Sequence, residues 1–166
     1  MEDRPHSHRT DVHSPERRSY NMSHIRGRNT KPEVQIRHGL HARGYRFRLQ
    51  DKRLPGRPDI VLPKWHSVIQ VHGCFWHGHD CPMFHLPATR PDFWRTKIDA
   101  NRVRDGLTAA ALAAAGWRRL TVWECALRGR VRLPVGEVLD VCEQFLRSAE
   151  GEAEIQGQWQ GLDCKP

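Results

Sequence analysis

An α/β sandwich around a small sheet is predicted, with elements in the order α-β-β-β-α-β-α. Three observations point to it. Capping and stop signals bracket two segments with helical character, and a one-sided apolar face marks a third. Between them lie short runs with strict alternation or β-branched residues, the mark of strands. The 166 residues suit a single domain and contain no internal repeat.

Thr30-Lys-Pro-Glu33 is a capping box with Pro32 early in the helix. The first helix therefore starts there, runs to Ala42 and stops at Gly44. Residues 45–50 alternate and predict the first strand. Leu54-Pro-Gly-Arg-Pro58 is a turn, and residues 59–62 open a second strand. Residues 67–71 form a β-branched third strand. Residues 72–91 read as loop. Asp92 can cap a long helix through Ala115, with Gly116 as its stop. Residues 117–124 predict the fourth strand. Pro134 opens a last helix with Val135, Val138, Leu139, Cys142, Phe145 and Leu146 on one face. Residues 1–18 read as a mobile polar arm, 19–148 as one domain and 149–166 as an acidic disordered tail.

Charge narrows the partner. Lys plus Arg number 27 against 19 Asp plus Glu, a net charge of +8, and a basic body of this kind favours a polyanion. The longest apolar stretch, 107–115, falls short of the roughly 18 residues that a membrane span needs. No apolar leader stands at the N-terminus, so export is not expected and the cytoplasm is. Five cysteines are an odd number, which favours free thiols or metal ligands over a disulfide framework.

Six potential metal ligands crowd residues 72–85: His72, Cys74, His77, His79, Cys81 and His85. Cys74, His79 and Cys81 supply three, and Cys125 after the fourth strand could supply a fourth. That Cys₃His set suits a closed, structural Zn²⁺ site. The His-x-Glu and Cys-x-x-Cys pattern of a zinc deaminase is missing, as is the long spacing of a zinc finger. Cys142 belongs to an apolar helix face. Asp59, after Arg57-Pro58 at a strand start, could hold Mg²⁺ or be a turn carboxylate. Glu33 is either its companion or only a capping-box residue. His77 could act as a general base or sit at the surface. Phe75 and Trp76 are adjacent in a loop, where both cannot easily enter one core.

Leu54-Pro-Gly-Arg-Pro-Asp59, Val71-His-Gly-Cys-Phe-Trp-His77, Pro87-Ala-Thr-Arg90, Phe93-Trp94 and Val122-Trp-Glu-Cys-Ala-Leu-Arg-Gly-Arg130 together resemble the very-short-patch-repair (Vsr-type) DNA mismatch endonucleases. The resemblance covers residues 19–130. It implies a restriction-endonuclease-like core with structural zinc. It also implies Mg²⁺-dependent nicking of duplex DNA 5′ of the T in a T·G mismatch left by 5-methylcytosine deamination, the start of very short patch repair. By position it implies that Asp59 binds magnesium and that Val71 offers its backbone carbonyl. His77 becomes the catalytic histidine, with Glu33 and His72 supporting the water shell. Cys74, His79, Cys81 and Cys125 fall on zinc positions. Phe75, Trp76 and Trp94 fall on intercalating aromatics, and Met22 and Ile25 on a segment that enters the minor groove, beside Arg26 and Arg28. A monomer in the bacterial cytoplasm, at the nucleoid, is implied, with a functional link to a cytosine-5 DNA methyltransferase and other repair proteins.

Two departures stand out. The third strand, Ile69-Gln-Val-His-Gly73, lacks the acid-x-Lys pair of the wider nuclease superfamily, a departure that the Vsr-type family shares through a histidine. Val71 stands where threonine is expected, which matters little if only its carbonyl is used. Two other readings remain open from sequence: a restriction-type nuclease that cuts both strands, and a non-catalytic zinc-stapled DNA-binding module.

Overall fold

The fold comes from a computed structural model that describes residues 27–159 together with Ser14, Arg17 and Tyr20. Most of the expected arm lies outside the described residues, as do Met22, Ile25 and Arg26. Helix α1 spans Lys31–Ala42. The capping box forms: Glu33 N–H donates to Thr30 Oγ1 at 3.4 Å, and the Glu33 carboxylate accepts from the backbone N–H of Thr30 at 3.4 Å, as well as from that of Asn29 at 2.9 Å. Strand β1 is Ile60–Leu62 and β2 is Ser67–His72, joined by a 3₁₀ turn at Pro63–Trp65. Helix α2 is Pro91–Ala114 and β3 is Arg118–Trp123. The short α3 (Glu124–Leu127), α4 (Val135–Arg147) and β4 (Glu152–Ile155) complete the order.

The strands lie in the order β1-β2-β3-β4. β1 pairs antiparallel with β2, whereas β3 runs parallel to both β2 and β4. Side chains alternate across a sheet, and the packing follows. Ile60, Leu62, Ile69, Leu120 and Val122 join Ile36 and Leu40 of α1 and the apolar face of α4 in the main core. Val61 and Val68 face the other way, onto Leu112 of α2. Helices thus cover both faces of the sheet. Only Ile98 and Leu112 of the 24-residue α2 are buried, so most of that helix is free to serve the site.

Three sequence expectations need correction. Residues 45–50 form no strand. Arg48 alone makes a bridge, exchanging two 2.8 Å backbone hydrogen bonds with Val61. β1 is only three residues long, and Gln50 turns away at φ 47°, which leaves nothing further to pair with. Asp92 is not the cap of α2; Arg90 is, in a left-handed conformation, and Asp92 sits in the first turn. The segment expected to be disordered from Glu150 contains β4. Its acidic residues point outward, where Glu152 pairs with Arg119 and Glu154 accepts from Trp123 Nε1 at 3.0 Å. Ala153 between them packs against the core, and Ile155 after them is buried. The acidic composition masked this alternation.

Arg118 ties the sheet to α4. Its Nη1 donates to the carbonyls of Phe145 (3.0 Å) and Ser148 (2.8 Å), and its Nη2 to those of Leu146 (2.9 Å) and Trp65 (3.0 Å). A cation at the carbonyl end of a helix satisfies groups that the helix itself cannot. Arg118→Met is expected to cost about 2–4 kcal/mol in urea unfolding. A loss under about 0.5 kcal/mol, the size of an ordinary surface change, would mean that water replaces the guanidinium without penalty.

Candidate active site and metal cluster

Parallel pairing of β2 with β3 ends with His72 opposite Trp123. The chain leaving β2 reaches Cys74, and the chain leaving β3 reaches Cys125, so both thiols stand at one end of the sheet. The loop then folds back: His77 N–H donates to Gly73 O at 3.2 Å and His79 N–H to Cys74 O at 3.0 Å. His79 Nδ1 comes to 3.6 Å from both Cys74 Sγ and Cys125 Sγ. One ligand atom each from Cys74, His79, Cys81 and Cys125 lies within 4.8 Å of the others. Zn–S bonds of about 2.3 Å in a tetrahedron separate sulfurs by roughly 3.8 Å, so the donor set fits such an ion. The thiols also crowd one another. The hydrogen bond from Cys74 draws Cys125 down to about 6 and pushes Cys74 up, while burial raises Cys81. Three thiols in this space ionise together only around a cation. His85 is exposed and outside the cluster, and Cys142 is a core residue of α4.

The same loop presents His77. α2 grips it with three side chains from one stretch of helix. Asn101 Nδ2 donates to Trp76 O at 2.8 Å, Arg102 donates to the carbonyls of His77 and Gly78, and Asp105 Oδ2 lies 2.6 Å from His77 Nδ1. Gly78 turns at φ 59°, and a Cβ there would stand 2.6 Å from Ile98 Cγ2 and 2.8 Å from Arg102 Nε. Only glycine suits that approach. With Asp105 accepting from Nδ1–H, His77 Nε2 is left as the proton acceptor. His72 stacks on His77, ring centroids 3.8 Å apart and 3° from parallel. Burial, with His77 and Arg119 nearby, lowers His72 to about 3, so it is neutral at pH 7.

Asp59 precedes β1. Its Oδ2 accepts from Val71 N–H at 2.8 Å, beyond the last paired residue of β1. Burial raises this carboxyl to about 6; the charge of Glu33 adds to the rise, and the Val71 N–H and Arg37 oppose it. Glu33 is itself buried, accepting from Arg37 Nη2 at 2.7 Å as well as serving the cap. Asp59, Val71, His72, His77, Asp105 and Glu33 all line one cleft of about 830 Å³. Lys31, Arg57, Arg104 and Arg128 also line it, and Trp76 closes one side. Anionic groups at the floor suit a hard cation, and the cationic walls suit phosphate.

Phe75, Trp76 and Trp94 form an edge-to-face group, with centroids 5.1 to 6.1 Å apart. Phe93 is 45% exposed beside them, and Lys97 Nζ stands 5.5 Å from the Trp76 ring. These rings make a half-buried ledge at the cleft and do not enter the main core. Arg28 is exposed just before α1. Sequence reading missed Asp105 and the Asn101–Arg102 grip. A polar residue on a long helix looks like solvated surface until the fold brings it to a loop more than 20 residues upstream.

An imidazole nitrogen free to accept a proton, a carboxylate in a cleft and cationic walls meet the needs of phosphodiester hydrolysis. The Vsr family, described as DNA mismatch endonuclease Vsr, matches residues 10–83. The type II nicking enzyme V.XorIIP of Xanthomonas oryzae pv. oryzae is 53% identical over 133 residues, 79% of this chain and 98% of that protein. DNA mismatch endonuclease Vsr of Escherichia coli is 44% identical over 148 residues, 89% of this chain and 95% of that protein. The type II nicking enzyme V.NmeAIP of Neisseria meningitidis is 43% identical over 121 residues, 73% and 86% of the two chains. The chain belongs to the Vsr family of DNA mismatch endonucleases. Among the described residues, no helix is long and apolar enough to cross a membrane.

The Asp59 carboxyl gives a signed pH prediction. Its folded value of about 6 lies above the ordinary 3.8, so the folded state holds the proton more tightly than the unfolded chain. Stability from this group is full below the ordinary value and falls as pH rises through about 6. Without added Mg²⁺, Asp59→Asn is expected to stabilise the protein at pH 7–8 by about 1–3 kcal/mol. The gain should vanish near pH 4. Equal unfolding midpoints for variant and wild type at pH 8 would show a solvated carboxylate.

Proposed function

We propose that this endonuclease nicks one strand of duplex DNA 5′ of the T in a T·G mismatch, with Mg²⁺ at Asp59 and Zn²⁺ in the Cys/His cluster. The observation that carries the reading is one cleft lined by Asp59, Val71, His77 and Trp76. A bound Mg²⁺ would stabilise charge on the attacking and leaving oxygens. Asp59 would hold it with the Val71 carbonyl. A strand residue's N–H and C=O point to the same side, and the Val71 N–H points at Asp59. The threonine-to-valine departure then costs nothing, since no side-chain hydroxyl is asked for.

His77 Nε2 takes a proton from water, and Asp105 holds the ring in the tautomer that can do so and steadies the resulting imidazolium. His72, neutral and stacked, keeps the ring from turning and adds no competing charge. Glu33 shapes the field at Asp59 from the helix cap. Lys31, Arg57, Arg104 and Arg128 take phosphates, joined by Arg26 and Arg28, while the apolar Met22 and Ile25 of the N-terminal segment enter the minor groove. Phe75, Trp76 and Trp94 test the pairing. Separating a base step costs a few kcal/mol, and a wobble pair yields more readily than a sound one. In this reading the core is restriction-endonuclease-like, the enzyme works as a monomer on an asymmetric lesion, and it follows a cytosine-5 DNA methyltransferase whose product deaminates. Its place is the bacterial cytoplasm, at the nucleoid.

Strand-labelled cleavage of duplexes that differ only at T·G, T·A and C·G, with Mg²⁺, tests it. Nicking of the T strand of the T·G duplex alone is expected. Equal cleavage of all three, or of both strands, would support a restriction-type enzyme. Asp59→Ala should abolish nicking while leaving DNA binding intact. Full activity in that variant would overturn the role of Asp59. His77→Ala should lower the rate on the order of 10²–10⁴-fold, the usual loss for a general base. Trp76→Ala should lose the preference for T·G over paired DNA, since stacking on a base contributes about 1–3 kcal/mol. A preference left unchanged would exclude Trp76 as the wedge.

A further inference from the structure

The residues that follow α4 do more than extend the sheet. β4 runs parallel to β3 and delivers the chain to the Cys/His cluster, where each of the next four residues makes a specific contact. Gln156 Oε1 lies 3.1 Å from His79 Nε2. Gly157 N–H donates to Cys125 Sγ at 3.3 Å, and Gln158 N–H to Val131 O at 2.8 Å. Trp159 meets the His79 ring edge-on, centroids 5.7 Å apart at 85°, while Trp123 stacks on the ring at 4.0 Å.

We infer that residues 155–159 are a strap that completes and closes the metal cluster, with Gln156 as the positioning residue for His79. The inference rests on the zinc reading given above. A histidine that ligates through Nδ1 carries its proton on Nε2, and a second partner there fixes both tautomer and ring orientation. His79 Nδ1 faces the thiols and its Nε2 faces Gln156 Oε1, so the amide oxygen accepts the proton that a ligating Nδ1 requires. The Gly157 N–H donates to Cys125 Sγ at 3.3 Å, so the strap holds a second member of the cluster as well as His79. Gly157 has to be glycine, because a Cβ there would stand 2.6 Å from the carbonyl oxygens of both Cys125 and Val131. Those are backbone atoms, which cannot swing aside. Ile155, buried in the main core, anchors the near end of the strap.

The strap also makes the cluster less open. His79 would otherwise show its outer edge to solvent, the side from which a competing chelator or a proton approaches. Three elements far apart in sequence thus meet at one cluster: the loop after β2, the turn after β3 and the strap after β4.

The test is zinc content and zinc release to a chromophoric chelator, measured on the full-length protein. Wild type is expected to carry about one zinc per chain and to release it slowly. Gln156→Leu keeps the size of the side chain but has no acceptor, and should release zinc roughly 10–100-fold faster, the usual effect of losing a partner of a metal-bound histidine. Gln156→Glu keeps an acceptor and should release no faster than wild type. A purely packing role would instead favour Leu over Glu. Gly157→Ala should also release faster; if it fails to fold, the two Gln156 variants still decide. A zinc-loaded wild type whose Gln156→Leu variant releases no faster would overturn the strap alone. A zinc-free wild type would overturn the zinc reading and the strap with it.

Discussion

The meeting of Cys74, His79, Cys81 and Cys125 governs this molecule. The 18-residue loop 73–90, with no regular structure of its own, has little reason to hold one shape. Here it is caught at three points within eight residues and fastened to the turn after β3. His77 lies inside the caught stretch, between two ligands, and points the other way. Once the ligands are fixed, the imidazole has few places to go. The grip of Asn101, Arg102 and Asp105 from α2 then sets its position and its tautomer.

This arrangement explains why a small sheet suffices. The core holds β1 and β2 firmly, and their ends carry Asp59 and Val71, one hydrogen bond apart. The loop that supplies most of the Cys/His cluster carries the histidine and the aromatic ledge. Two halves of the cleft, one at Asp59 and one at His77, are thus built by different devices. Sheet pairing builds the first and a soft-ligand cluster the second. Their chemistry keeps them separate, since thiolates favour zinc and carboxylate oxygen favours magnesium.

Much of this was legible in the sequence because it is local. Thr30 and Glu33 announce the start of α1, and the apolar spacing of α4 announces its buried face. Cys74, His79 and Cys81, which the fold brings together, are close in sequence, and Cys125 was identifiable by its place after a strand. Residues 45–50 misled because alternation says only which side a residue faces, not whether a partner strand is long enough to pair. The tail misled for the opposite reason: Glu152 and Glu154 look like solvated charge until Arg119 and Trp123 appear beside them. Asp105 had no local signal at all, being one of several polar residues on an exposed helix.

The most direct measurement is single-turnover nicking of a T·G duplex by protein stripped of its cluster metal and then reloaded with zinc, with Mg²⁺ present throughout. Nicking should disappear on stripping and return on reloading, while far-ultraviolet circular dichroism keeps the signal of the helices and sheet. A stripped protein that stays folded and nicks at the full rate would mean that the Cys/His cluster does not position His77.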